Sequence, residues 1–116
     1  MNRTEALAQI ITFGTEKDKA YLELVKYSYD SNEPLFEVTE SVLADALSKF
    51  ISGNISNDEL EDWANFVECR DDLDYESIEG YIYALANPLL LGEITKAKIE
   101  KMLKVLNTSI NKTESE

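Results

Sequence analysis

The stretch Ile55–Val67, ISNDELEDWANFV, admits one local structure. Ser56 followed three residues later by Glu59 is a capping box, in which each side chain accepts from the other residue's backbone amide. Ile55 precedes the cap and is placed to pack on Leu60 as a hydrophobic staple. Leu60, Trp63, Ala64 and Val67 then recur at spacings of three and four, so they stack on one face of a helix. Asp58, Glu61, Asn65, Glu68 and Asp72 fall on the opposite side. An amphipathic helix must bury its stripe against other elements, and the rest of the chain supplies stripes of the same period.

In chain order, Thr4 is placed to cap a first helix carrying Ala6, Leu7, Ile10 and Ile11, which Gly14 ends. Thr15 is placed to cap a second, with Ala20, Tyr21, Leu24, Val25 and Ser28 inward and the run from Tyr29 to Pro34 as its stop. Pro34 to Val38 reads as a linker. From Thr39 a third helix turns Val42, Leu43, Ala46, Leu47, Phe50 and Ile51 inward, until Ser52, Gly53 and Asn54 terminate it. The fourth helix, begun by the capping box, is expected to end near Arg70 or Asp71, followed by a turn over Asp72 to Tyr75. Asp74 is the candidate cap of a fifth helix, which buries Ile78, Tyr81, Ile82 and Leu85 and ends at Asn87 and Pro88. Leu89 to Leu91 with Gly92 is expected to fold back over the bundle. Thr95 caps a last helix with Ile99, Met102, Leu103 and Leu106 inward and Lys96, Lys98, Lys101 and Lys104 exposed. No alternating apolar and polar run competes with these stripes. The expected fold is all-α, a compact bundle of five to six short antiparallel helices over residues 1–108, with 109–116 a frayed tail.

The charge is concentrated. Between Asn54 and Glu79 ten acidic residues, Asp58, Glu59, Glu61, Asp62, Glu68, Asp71, Asp72, Asp74, Glu76 and Glu79, face Arg70 alone, a local net of −9 out of −12 for the 116-residue chain. Such a field repels nucleic acid and anionic membranes and attracts a cationic protein surface. Acid that only kept the protein soluble would be mixed and spread out. The N-terminus lacks the basic, apolar and small-residue regions of a signal peptide. No run approaches the roughly 20 apolar residues of a membrane span. The lone Cys69 cannot form an internal disulfide, so the sequence reads as that of a soluble cytoplasmic protein.

Enzyme parts are scarce. The chain contains no histidine, which removes the commonest general base and metal ligand, and one cysteine cannot build a zinc site. Asp72, Asp74 and Glu76 alternate as an EF-hand loop begins, but its sixth and twelfth places hold Ser77 and Tyr83 instead of glycine and glutamate. The four glycines are scattered singly, so no phosphate loop forms. The sequence therefore implies neither enzyme, cofactor nor metal, and leaves a binding surface. Its acids are Asp58, Glu61, Asp62, Glu68, Asp71, Asp72, Asp74, Glu76 and Glu79; Tyr75 and Tyr83, with Phe66, are candidate anchors at its flanks, while Trp63 belongs to the core. A monomer, or a weak homodimer through Leu89 to Leu91, is expected.

The run from Ile55 to Ala64, then Arg70-Asp71-Asp72, Ala86-Asn87-Pro88 and Gly92-Glu93-Ile94-Thr95, resembles small helical immunity proteins of bacterial toxin systems, particularly those of contact-dependent growth inhibition. The similarity covers roughly Ser41 to Leu106. It implies a cytoplasmic protein that binds the C-terminal domain of its cognate toxin, often a nuclease, and covers its active site or substrate surface. A nuclease must attract phosphate, so its working face is basic and clustered carboxylates can occupy the place of the nucleic-acid backbone. The family fixes no binding residues, and the site rests on the acidic stretch itself. The alternatives are an acidic mimic of nucleic acid that occupies a host DNA- or RNA-binding protein, and a structural helical domain whose acid only solvates it.

Overall fold

The structure, a computed structural model, describes residues 1–27 and 31–114, with side chains through Asn111. It is predominantly helical: α1 (Arg3–Ile11), α2 (Lys17–Leu24), α3 (Glu40–Ile51), α4 (Asn57–Glu68), α5 (Glu79–Ala86), the single turn α6 (Pro88–Leu91) and the long α7 (Lys96–Glu114). A 3₁₀ turn, Glu76–Ile78, precedes α5. Two two-residue strands, β1 (Phe36–Glu37) and β2 (Leu73–Asp74), pair in parallel, Phe36 opposite Leu73 and Glu37 opposite Asp74. The expected linker from Pro34 to Val38 and turn from Asp72 to Tyr75 are therefore one joined structure. The Asp72 carbonyl accepts from Leu35 N at 2.8 Å, and the Asp74 carbonyl from Val38 N at 2.7 Å. Pairs this short have no room for the alternation that marks a strand in sequence.

The capping box forms as the sequence requires, with Ser56 Oγ accepting from Glu59 N and Glu59 Oε1 from Ser56 N. α4 buries Leu60, Trp63, Ala64 and Val67 and packs with α5. Thr39 caps α3 through Val42 N, and Thr95 caps α7 through Lys98 N. α1 packs with α2, and α3 with both α4 and α7. α7 runs past residue 108 to Glu114, and Ile110 packs on the core.

Three helix ends differ from the sequence reading. The cap of α1 is Asn2, whose Oδ1 accepts from Glu5 N at 2.8 Å while Glu5 Oε1 accepts from Asn2 N. Thr4 has Leu7 at its third following position, which cannot reciprocate. The left-handed residue that closes α1 is Phe13, φ 56°, not Gly14. Gly14 N bonds to Gln9 O and Phe13 N to Ile10 O, a Schellman motif built without glycine in the left-handed position. α2 starts without help from Thr15; Gln9 Oε1 instead accepts from Glu16 N at 3.0 Å. α3 closes with the same motif around Gly53, φ 85°.

The backbone strain at Phe13 is held by packing. Its ring stacks on Trp63, centroids 6.3 Å apart, and the Trp63 indole N–H donates to the Ile11 carbonyl at 3.0 Å. Trp63 is thus a core residue that also satisfies an end carbonyl of α1. Leu89 to Leu91 do not fold over the bundle. Lys98 Nζ donates to the Leu91 and Gly92 carbonyls, tethering the backbone of this turn to α7 while the leucines face outward, Leu89 fully exposed.

Candidate protein-binding surface and the groove beside it

Asp72 is the residue that the sequence reading misplaced. It is fully buried, and its carboxylate accepts from Arg70 Nε and Nη2, both at 2.9 Å, and from Arg3 Nε at 3.0 Å. Because α4 ends at Glu68, Asp72 escapes the helical phase that would have placed it outside, and the turn directs it inward. Arg70 is buried with it and lies over the Phe66 ring at 5.1 Å; Arg3 lies over Tyr27 at 5.3 Å. Burial opposes the Asp72 charge, but the two guanidiniums outweigh it and hold the carboxyl below the usual range. With its main chain bound to Leu35 and Phe36, Asp72 joins α1, β1 and the end of α4. It is a fold residue, and it consumes the one basic group of the acidic stretch.

The other eight acids stay at or near the surface. Asp58, Asp62, Asp71, Glu76 and Glu79 are exposed; Glu61, Glu68 and Asp74 are half-buried. Among the described residues none of the eight forms an ion pair; lysines instead pair locally, Lys19 with Glu16, Lys26 with Glu23 and Lys49 with Asp45. Asp74 Oδ1 accepts from Glu76 N, ordering the turn into the 3₁₀ segment rather than capping α5 directly.

Two foci organise these acids. Half-buried Tyr75 packs on the core, and its hydroxyl pKa is raised by burial, then by the charges of Glu68 and Glu79 and, more weakly, Asp71. Carboxylates from the end of α4, the following turn and the start of α5 therefore all act on this one hydroxyl. The second focus is Tyr21 on α2, raised by burial and then by Asp62 and Asp18. Asp62 and Glu68 share α4, roughly 9 Å apart along its axis. They also sit about 120° apart around it, so their carboxylates are separated by more than a Debye length at physiological salt, and the two foci reinforce each other mainly at low salt. Tyr83, half exposed on α5, lies one turn beyond Glu79.

Between α2 and α4 lies a feature the sequence reading did not foresee, an open groove of about 610 Å³. Its walls are Tyr21, Leu24 and Val25 from α2 and its exit, facing Asp62 and Phe66 from α4 and Cys69 just past its end. Tyr21 and Val25, expected in the core, are 44% and 80% exposed. α2 is only two turns long, and among the described residues the outer part of its stripe is left open; Ser28 and the expected stop at Tyr29 and Asp30 lie outside the described residues. Phe66 meets the Tyr21 ring edge-on, centroids 5.9 Å apart. A stripe wider than a two-turn helix can bury was the available signal.

Among the described residues, no group of three cysteines, aspartates or glutamates could hold a metal ion, and no helix is long and apolar enough to cross a membrane. What the arrangement can do is bind by charge and by apolar contact. Comparison of the chain with protein-family models, curated proteins and solved structures finds no match.

Proposed function

We propose that the chain is a small cytoplasmic inhibitor that neutralises a basic protein domain, in the manner of an immunity protein covering the active or substrate-binding surface of a toxin nuclease. The observation that carries this reading is that Asp58, Asp62, Asp71, Glu76 and Glu79 stand exposed along α4, the turn after it and the start of α5, and that neither they nor Glu68 forms an ion pair among the described residues. Left unneutralised, such charge raises the net self-repulsion of the fold and favours encounter with a positive surface. Asp58, Glu61 and Asp62 extend the field along α4, Asp74 and Glu76 along the turn, and Tyr75 and Tyr83 supply amphipathic contacts. Steering of this kind lifts association toward about 10⁸ M⁻¹s⁻¹ at low salt. The short connections between α1 and α2 and between α3 and α4, both contacting pairs, support the antiparallel packing expected of such a bundle.

Where the gene immediately upstream encodes a protein with a basic C-terminal domain, coexpression of this chain should restore growth of cells producing that domain. Glu68→Gln, Asp71→Asn and Glu79→Gln together should abolish protection without changing the far-ultraviolet circular dichroism. Protection that survives the triple substitution would reject this surface. An acidic mimic uses the same field on a host nucleic-acid-binding protein, and would leave the toxin domain active.

A further inference from the structure

We infer that the groove between α2 and α4 is the anchor subsite of this surface, and that its occupant is an amphipathic basic segment of the partner protein, one apolar side chain inserted and lysines or arginines beside it. The inference rests on the acidic-inhibitor reading and adds where the dry part of the contact forms.

The groove has the composition of an interface centre. Tyr21, Phe66 and Val25 present apolar surface to solvent, and two of the three are aromatic, which bury large area at little cost in side-chain entropy. Its floor is set. Phe66 is clamped between the Arg70 guanidinium and the Tyr21 ring, and Arg70 is fastened to Asp72, so the cavity exists before a partner arrives. Its rim is acidic: Asp62 and Asp18 both act on the Tyr21 hydroxyl, and neither is in an ion pair among the described residues. Among the described residues Arg70 is the one cation in the lining and is bound to Asp72, while Lys17, in the adjoining hollow with Tyr21 and Asp62, lies over the Phe13 ring. An uncharged apolar occupant would leave the rim unanswered, and a purely basic one would leave Tyr21, Val25 and Phe66 wet. Only a segment carrying both characters answers both.

Cys69 gives the test a footprint, because the chain's lone thiol is exposed and lines the groove. The probes are a fluorescent helical peptide with leucines on one face and lysines on the other, a scrambled peptide of the same composition, and a serine-for-leucine version. Fluorescence anisotropy reports binding, and the rate of Cys69 alkylation reports occupancy of the groove. The amphipathic peptide should bind at least about tenfold more tightly than either control, the low end of what burying one aliphatic side chain supplies, and should slow alkylation. Val25→Asp, at a position too exposed to unsettle the fold, adds acid while spoiling the apolar wall, and should weaken binding about fivefold or more. Equal binding of all three peptides with Cys69 unprotected, or Val25→Asp binding as well as the parent, overturns the groove and leaves the acidic reading standing. Binding that protects Cys69 but is indifferent to salt overturns the acidic reading and the basic character of the occupant together.

Discussion

Replacing Asp72 by Asn tests the structural claim on which the surface depends. The substitution keeps shape and removes charge, and the new amide would direct N–H groups at guanidiniums that donate to the same place. Three charge-assisted hydrogen bonds are affected, two from Arg70 and one from Arg3. The carboxylate is wholly buried and the Arg70 side chain is 4% exposed, so solvent cannot compensate them; Arg3, at 19%, is partly wet and contributes less. Removing one partner of a buried ion pair costs about 3–5 kcal/mol, and the wetter Arg3 places the expectation near the lower end, about 3–4 kcal/mol. For a domain of this length an unfolding entropy of about 2.1 cal/mol/K per residue converts that into a fall in Tm of about 12–16 °C. Urea unfolding followed at 222 nm measures it directly. Arg3→Met should cost less, about 1 kcal/mol, because Arg70 retains its two bonds. The two losses should be less than additive in the double variant, since both act on one carboxylate. A loss below about 1 kcal/mol for Asp72→Asn would mean that the carboxylate is solvated and belongs to the surface after all.

Four further outcomes follow from the same contacts. Because Asp72 titrates lower in the folded state than unfolded, its stabilisation is complete above the unfolded carboxyl pKa of about 3.9 and is lost as pH falls through the folded value. The stability gap between parent and Asp72→Asn should accordingly be constant near neutrality and close below about pH 4, as read by urea midpoints. Trp63→Phe should cost about 2 kcal/mol in the same assay, since it strands the Ile11 carbonyl in the interior. Gly53→Ala should cost about 1 kcal/mol; a methyl group there meets nothing within 4 Å, so the whole effect is the left-handed backbone. Glu79→Gln should lower the Tyr75 hydroxyl pKa without returning it to 10.0, because burial, the larger cause, persists; an unmoved titration by NMR would separate Glu79 from that focus.

The sequence made the interior legible wherever an element was long enough to repeat its period. Leu43 and Leu47 on α3, Leu60 and Val67 on α4, and Ile99 and Leu106 on α7 are buried as their spacing requires. It failed where geometry depends on partners distant along the chain. The pairing of Phe36 with Leu73 spans a crossover of two helices, and no local pattern encodes it. Phe13 takes the left-handed position because Trp63, fifty residues later, offers its ring a stack. At the surface, composition identified an acidic stretch but could not sort its members, since a carboxylate that closes a turn and one that meets a partner are the same letter. Arg70 was the available clue: a lone cation amid ten acids invites a private partner, and Arg70-x-Asp72 across a helix end is the nearest one.

That sorting changes how the surface must be probed. A charge scan that includes Asp72 weakens the junction of α1, β1 and α4 and with it the floor of the groove, so lost binding would not by itself report contact. Asp72→Asn therefore serves as the control that reports collapse, and Glu68, Asp71 and Glu79 carry the measurement of the field. Surface charge acts mainly on encounter and buried apolar contact mainly on escape. Neutralising the three acids should then slow association and flatten its salt dependence. Val25→Asp should raise the dissociation rate with association unchanged or faster. Stopped-flow mixing with the amphipathic basic peptide separates the two, and a Val25→Asp effect confined to association would place the dry contact elsewhere on the molecule.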